Sequence, residues 1–71
     1  MTVTVNNKIK EIREERHIQQ LEMAKALNVS RQTMTAIEKM KYNPSLELSL
    51  KIAHFFELPV EEIFELNTEV D

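Results

Sequence analysis

The stretch QQLEMAKALNVSRQTMTAIEKMKY, residues 19–42, constrains the fold most, because it holds two short helical patterns with only a few residues between them. Asn28 tolerates the left-handed backbone conformation, and it therefore marks the turn. Ser30 suits the N-cap of the next helix, where its hydroxyl can bond a free backbone N–H. The apolar residues on the inward faces recur at helical spacing: Met23, Ala24, Leu27, Val29, Met34 and Ile37.

This pattern leaves three polar side chains, Arg31, Gln32 and Thr35, on the outward face of the second helix. A helix pair supported from behind, with Arg and Gln at the exposed first turn, is typical of a helix-turn-helix that reads the major groove of DNA. The plainer interpretation is that these are ordinary exposed helix residues. On composition alone, the two interpretations are equally good.

The composition excludes several other classes of protein. The 71 residues suit one domain, 1–71, and they contain no cysteine and no glycine. No disulfide or thiolate metal site is therefore expected, and no run is apolar for long enough to suggest a membrane span or a signal peptide. We expect a cytoplasmic protein without metal or cofactor. No nucleophile elbow, phosphate loop or zinc signature suggests an enzyme.

The charge is distributed unevenly along the chain. Residues 1–41 hold eight Lys and Arg against five Glu, a balance of +3, whereas residues 42–71 hold one Lys against seven acidic residues, a balance of −6. A basic front with an acidic back suits a ligand that approaches from one side, such as a phosphate backbone. Ordinary solvated charge with a chance asymmetry explains the same numbers.

The rest of the chain predicts an all-α fold of five helices with a small antiparallel β-ribbon between the termini. Alternating β-branched residues at both ends favour strands at about 2–5 and 65–70, because a lone strand needs a partner. Asn6 or Asn7 caps the first helix, and Ser45 caps the fourth. The expected helices are 8–16, 19–27, 31–39, 46–56 and 60–64, and the helix pair spans about 19–39.

The last third of the chain holds more large apolar residues than a core of this size needs. We expect part of this surplus, at Ile63, Phe64 and Leu66, to form the interface of a homodimer.

The ordered set of motifs resembles the lambda Cro and phage-repressor type of helix-turn-helix family (the XRE-like proteins). The matching residues are IKEIREER at 9–16, Gln20, Ala24, Leu27, VSRQT at 29–33, AIE at 36–38, KYNPSLEL at 41–48 and KIA at 51–53. A single motif such as NPS is weak, but the ordered set is specific and covers about residues 8–64. The length and the strand-like ends look most like small stand-alone repressors of the cytolysin-repressor kind, which are dimers with a terminal β-ribbon.

This resemblance implies roles for individual residues. Gln20 would anchor a phosphate and support the second helix of the pair, and Arg13 would pair with Glu38. Base edges would be read by Arg31, Gln32 and Thr35, each bidentate contact being worth roughly 1–3 kcal/mol of discrimination. The complete expected DNA-binding set is Gln20, Ser30, Arg31, Gln32, Thr33, Thr35, Lys39, Lys41, Tyr42 and Asn43.

The chain departs from the family at four positions, His17, Asn28, Met40 and Glu57, where glycine is common. A methionine with positive φ at position 40 would be strained, so either the loop takes another path or stability is lost there. The resemblance implies a repressor that binds a palindromic operator in double-stranded DNA as a homodimer, with a possible partner regulatory protein. The alternative is an antitoxin or protein-interaction module of the same fold, in which DNA binding is secondary or lost.

Overall fold

The structure, a computed structural model, describes residues 2–69. Five helices lie between two terminal strands, in the order β1 (Thr2–Asn7), α1 (Ile9–Glu15), α2 (Gln20–Leu27), α3 (Arg31–Glu38), α4 (Leu46–Phe56), α5 (Val60–Ile63) and β2 (Phe64–Glu69). Each helix lies within a residue or so of its predicted range. Val70, expected in the second strand, lies outside the described residues. The fold is therefore helical with a small two-stranded antiparallel sheet. The term all-α, used in the prediction, does not strictly describe a fold that includes this sheet.

Side-chain caps explain where two of the helices begin. The Ser30 hydroxyl accepts a hydrogen bond from the N–H of Thr33 at 3.0 Å, and the Ser45 hydroxyl accepts one from the N–H of Leu48 at 3.1 Å. Both bonds satisfy an N–H that has no partner within its own helix. At α1, Asn7 Oδ1 accepts from the N–H of Ile9 at 3.2 Å, so the expected asparagine bonds the first turn, although Lys8 occupies the capping position.

Four helices end in the same way. In each, a residue with positive φ follows the helix, and the two N–H groups at the end bond carbonyls three and five residues earlier, as in a Schellman motif. The positive-φ residues are His17 (58°), Asn28 (59°), Met40 (61°) and Glu57 (57°). The chain therefore adopts the left-handed conformation at all four positions without glycine, and two of the four residues, Met40 and Glu57, are ones that resist this conformation.

The core lies where the inward faces of all five helices meet. Its buried apolar residues are Ile9, Met23, Ala24, Leu27, Met34, Ile37, Ile52, Ala53, Phe56 and Ile63. The inward residues predicted for the helix pair are all in this set, except Val29 in the turn between α2 and α3, which is partly buried. On α4, Leu48 and Phe55 are partly buried, and Leu46 is 76% exposed.

The ribbon joins the two ends of the described chain. Its register pairs Val3 with Thr68 and Val5 with Leu66, and Asn7 pairs with Phe64. Because paired residues share a face of an antiparallel sheet, one face is mostly apolar and the other carries Thr4, Asn67 and Glu65. The inner end of the apolar face packs on the core through Phe64. The outer end is free, with Val3 49% and Leu66 66% exposed.

Candidate nucleic-acid interface

Two of the expected base-reading residues, Arg31 and Thr35, form a ridge on α3 together with Lys39. Arg31, Thr35 and Lys39 follow each other at intervals of four residues, so they lie on one line along the helix and its C-cap. This line separates two concavities, and all three residues contribute to both. Gln32 lies on one flank of the ridge. α3 thus presents an Arg, a Gln and a Thr side chain outward, which a base edge could contact.

The larger concavity, of about 570 Å³, lies between α1, α2 and α3. Lys10, Arg31 and Lys39 supply basic groups to its wall, whereas its one acidic residue, Glu38, is engaged by Arg13. Such a basic groove suits a phosphate backbone electrostatically. Lys10 was not among the expected DNA-binding residues. It lies three residues before Arg13, so the two side chains are neighbours on the surface of α1.

The smaller concavity, of about 320 Å³, lies on the other flank of the ridge. Gln32, Ala36 and Lys41 complete its wall together with the ridge residues. Lys41, Tyr42 and Asn43, in the connection after α3, are all exposed. The structure therefore brings Gln32 and Lys41 to the same groove, as a shared contact with one DNA segment requires.

A buried ion pair connects α1 to the end of α3. Arg13 Nε donates to Glu38 Oε2 at 2.9 Å and Arg13 Nη2 to Glu38 Oε1 at 3.2 Å, while the two side chains are only 10% and 4% exposed. Arg13 Nη1 also donates to the carbonyl of Ile18 at 2.9 Å. A buried charge is tolerated when it is paired and hydrogen-bonded in this way. The family's expected pair is thus present in a bidentate geometry.

Gln20 connects this ion pair to the ridge. Its Nε2 donates to Glu38 Oε1 at 3.2 Å. Its Oε1 accepts from Arg31 Nε and from the Thr35 hydroxyl, each at 3.3 Å. Gln20 therefore contacts the second helix of the pair directly, which accords with the supporting role that the resemblance implies. No contact described in residues 2–69 tests its expected phosphate contact.

Two of the small hydroxyl residues of the expected set, Ser30 and Thr33, take part in capping. The Ser30 hydroxyl donates to Thr33 Oγ1 at 2.9 Å while it accepts from the Thr33 N–H. Ser30 thus uses both a donor and an acceptor within the first turn of α3. Thr33 is half-buried and retains its own hydroxyl proton, so of the two it is better able to donate to DNA.

The three residues expected at a dimer interface lie in different environments. Ile63 is 1% exposed and belongs to the core of its own chain, so it has no surface for a partner, and that part of the expectation is corrected. Its burial follows from its place at the end of α5, which packs inward. Phe64 is half-buried, and Leu66 is largely exposed. Among the three, Leu66 offers the most surface.

A separate apolar surface lies on α4. Leu50 is 53% exposed and lines a concavity of about 500 Å³ with Ala26, Leu27 and Phe55. The sequence pattern did not predict this surface. Leu46, Leu48 and Leu50 occupy every second position at the start of α4, and only the structure shows that Leu48 is partly buried while the other two are exposed.

Neither metal-binding nor membrane-spanning features were found in the described part of the chain. No group of three or more His, Cys, Asp or Glu within residues 2–69 is arranged to hold a metal ion. Across the same residues, every helix is too short or too polar for a membrane crossing.

Comparison with known proteins identifies the relatives of this fold. A family model described as helix-turn-helix matches residues 9–63. An uncharacterized HTH-type transcriptional regulator of Methanocaldococcus jannaschii is 52% identical over 84% of this chain and 91% of its own length. A transcriptional repressor of the cryptic phage CTXphi from Vibrio cholerae is 36% identical over 82% of this chain and 52% of its own.

A solved structure supports the fold independently of close sequence similarity. A crystal structure from Bacteroides fragilis, described as a candidate DNA-binding protein, superimposes with a TM-score of 0.79 and covers 87% of this chain and all of that one. The two sequences are 21% identical, so this likeness concerns the fold alone.

Proposed function

Because the chain belongs to the helix-turn-helix family, we propose that it binds double-stranded DNA in a sequence-specific manner and represses transcription. One observation carries the proposal: Arg31 and Thr35 lie on the α3 ridge between two concavities that contain cationic side chains, and Gln32 lies on the flank of that ridge. Arg and Gln are the side chains that pair bidentately with guanine and adenine in the major groove. Related proteins named as transcriptional regulators and as a phage repressor support the regulatory role.

The acidic net charge of −3 does not oppose this function, because the charges are segregated. Lys10, Arg31, Lys39 and Lys41 all line the concavities beside the ridge. The acidic residues after position 42 include Glu57, Glu61 and Glu65, all exposed on elements that line neither concavity. A local positive field at the ridge is what attracts a phosphate backbone.

A homodimer on a palindromic operator completes the proposal. One recognition helix contacts only half of a typical site, and two-fold symmetry would put two half-sites about 34 Å apart, one turn of DNA. The free outer end of the ribbon supports a second copy as the partner. Its apolar face is continuous with the core at Phe64 but extends beyond it, leaving Val3 and Leu66 exposed.

The test is selection of duplexes from a random-sequence library, followed by fluorescence anisotropy with the selected and a random duplex at two salt concentrations. A palindromic consensus, bound in the presence of excess random competitor, is the expected result. Binding to neither duplex at low salt would overturn the proposal in favour of a protein-interaction module of the same fold. Equal affinity for both duplexes at each salt concentration would exclude a sequence-specific regulator.

A further inference from the structure

We infer that Asn7 is a positioning residue for DNA recognition: it fixes the terminal ribbon to the end of α3 and thereby sets the separation of the two half-sites that a dimer accepts. This inference rests on the proposed function and deepens it, since it requires two copies joined through their ribbons on DNA. It concerns the spacing within an operator and not the identity of its bases.

Asn7 lies where β1, α1 and α3 meet, and both ends of its side-chain amide are bonded. Its Oδ1 accepts from the N–H of Ile9 at the start of α1, at 3.2 Å, and its Nδ2 donates to the carbonyl of Ile37 near the end of α3, at 2.9 Å. One of these neighbours can only donate and the other can only accept, so their chemistry determines the orientation of the amide. The side chain therefore connects the last residue of β1 to two helices.

The backbone of Asn7 makes a further attachment to the residues after α3. Its N–H donates to Met40 Sδ at 3.4 Å. In residues 2–69 the sheet consists of β1 and β2, and this bond uses the edge of β1 that lacks a neighbouring strand. Asn7 is only 7% exposed, and hydrogen bonds away from water are electrostatically stronger.

These attachments restrain the ribbon at its base. There, β1 continues into α1 through Lys8, β2 begins directly after Ile63 of α5, and the Lys8 N–H donates to the Ile63 carbonyl at 2.8 Å. This bond closes the base, but by itself it would let the ribbon turn about it. Asn7 resists such a rotation on the side of α3, and Phe64 packs on the core beside it.

The place of the proposed dimer contact gives this restraint its consequence. Val3 and Leu66 lie at the outer end of the ribbon, and Val3 is roughly 13 Å from Asn7 at the usual rise of a strand. A rotation at the base would therefore move the recognition helix of one copy relative to that of its partner. One additional base pair shifts a half-site by about 3.4 Å and turns it by about 35°. A rigid attachment thus favours one spacing over its neighbours.

The test variant is Asn7→Ser, which separates the two uses of the side chain. A serine hydroxyl can still accept from the N–H two residues later, so α1 keeps this bond, but the shorter side chain does not reach the Ile37 carbonyl. That carbonyl also accepts from the Met40 N–H at 3.0 Å, so the substitution leaves no buried acceptor without a partner. Met40→Leu removes the sulfur acceptor and keeps an apolar side chain of similar size.

The measurement is affinity for duplexes that carry two copies of a half-site obtained by library selection, with their spacing changed one base pair at a time. The parent should prefer one spacing. In Asn7→Ser, this preference over the neighbouring spacings should fall by roughly two- to tenfold, the factor that one hydrogen bond is worth. Asn7→Ser/Met40→Leu should lower it further. The preference among bases within each half-site should match that of the parent, because the ridge is unchanged.

Two controls separate this role from a general loss of stability. Asn6→Ser changes the preceding asparagine of β1, which is half-buried and whose side chain makes no hydrogen bond to α3 within residues 2–69. Ile52→Val removes one methyl group from the core on α4 and lowers stability by itself. Both should keep the spacing preference of the parent, whatever their free energies of unfolding. Sedimentation should show the same dimer for every variant.

Four results would overturn the inference. Two concern the spacing preference: one that is equal in Asn7→Ser and the parent, and one that relaxes as much in Ile52→Val as in Asn7→Ser. The third is a monomeric Asn7→Ser, since the loss would then lie in assembly. The fourth is a parent without a preferred spacing, which would leave sequence-specific binding intact. Failure of the parent to bind any duplex is a different outcome and would overturn the proposed function itself.

Discussion

The sulfur of Met40 accepts a hydrogen bond from the backbone N–H of Asn7 at 3.4 Å. The same asparagine donates from Nδ2 to the carbonyl of Ile37 at 2.9 Å. Two hydrogen bonds therefore attach the end of β1 to the last turn of α3 and the residues after it. Met40 has a φ of 61°, a conformation that favours glycine. Its side chain therefore contributes a contact that glycine would lack, which offsets part of its backbone strain.

The first prediction concerns stability at Glu57, which has a positive φ like Met40. We expect Glu57→Gly to raise the free energy of unfolding by about 0.5–1 kcal/mol, because it relieves a left-handed backbone conformation of about 1–2 kcal/mol and adds a smaller entropy to the unfolded chain. Glu57 is exposed and has a φ of 57°. Urea unfolding at fixed protein concentration measures the change.

Met40→Gly is the counterpart at the same kind of site. It relieves the same conformation but loses the sulfur contact with Asn7 and part of the packing at the end of β1. We expect its gain to be smaller than that of Glu57→Gly, or absent. An equal or larger gain at position 40 would contradict a stabilising role for the sulfur contact.

A second prediction concerns the buried ion pair. Glu38→Ala should destabilise the fold by about 3–5 kcal/mol, because it leaves the Arg13 guanidinium buried without its carboxylate. The double variant Arg13→Met/Glu38→Leu should recover much of that loss, since it removes both charges and keeps the volume. Unfolding free energies of the parent, of Arg13→Met and Glu38→Leu alone, and of the double variant form the double-mutant cycle.

Glu47→Ala is the control for a generic loss of charge. Glu47 pairs with Lys51 at 3.9 Å on the exposed face of α4, and exposed pairs of this kind contribute less than about 0.5 kcal/mol. If Glu38→Ala proved no more destabilising than Glu47→Ala, the Arg13–Glu38 pair would not be a buried structural pair.

Local sequence signals were sufficient for the elements that carry the recognition ridge. Ser30 and Ser45 predicted the starts of α3 and α4 because an N-cap needs only a hydroxyl and the next three residues. The pairing of the termini was also predictable, since alternating β-branched residues at both ends need each other. The end of α3 was predicted at Lys39, one residue beyond the observed Glu38, because the fraying of a last turn has no sequence signature.

Contacts between distant residues were not predictable in the same way. The bonds of Gln20 depend on where Glu38 lies, 18 residues away, and on which end of an amide faces it. Ile63 and Leu66 have similar hydropathy, and only the packing of α5 puts the first in the core and leaves the second exposed. Family resemblance identified the four glycine positions, but the sequence alone could not show whether His17, Met40 and Glu57 would keep the left-handed path.

A third prediction concerns self-association. Leu66→Glu should convert the proposed dimer to a monomer in sedimentation at tens of micromolar, because it puts a charge on the apolar end of the ribbon. The matched control is Leu50→Glu, which adds the same charge to a leucine of similar exposure on α4. A dimer that persists in Leu66→Glu but dissociates in Leu50→Glu would move the interface to α4, and a monomeric parent would exclude the dimer.

The last prediction separates base reading from backbone attraction on α3 and the connection after it. Gln32→Ala should reduce affinity for a selected duplex and relax one base position, with a loss of roughly 1–3 kcal/mol, while affinity for random duplex stays the same. Lys41→Ala should weaken binding to both duplexes alike and make the slope of log K against log salt shallower by about 1, because one phosphate contact is lost.

The side chains of Gln32 and Lys41 line the same concavity, and both are exposed. A difference in DNA binding between the two variants therefore cannot come from a difference in solvent exposure. Anisotropy titrations at four salt concentrations, on selected and random duplexes, measure both quantities for each variant. The circular dichroism of each variant should match the parent, since neither side chain is in the core. If both variants lost affinity equally on the two duplexes, Gln32 would be a backbone contact, and base reading would have to come from Arg31 and the rest of the ridge.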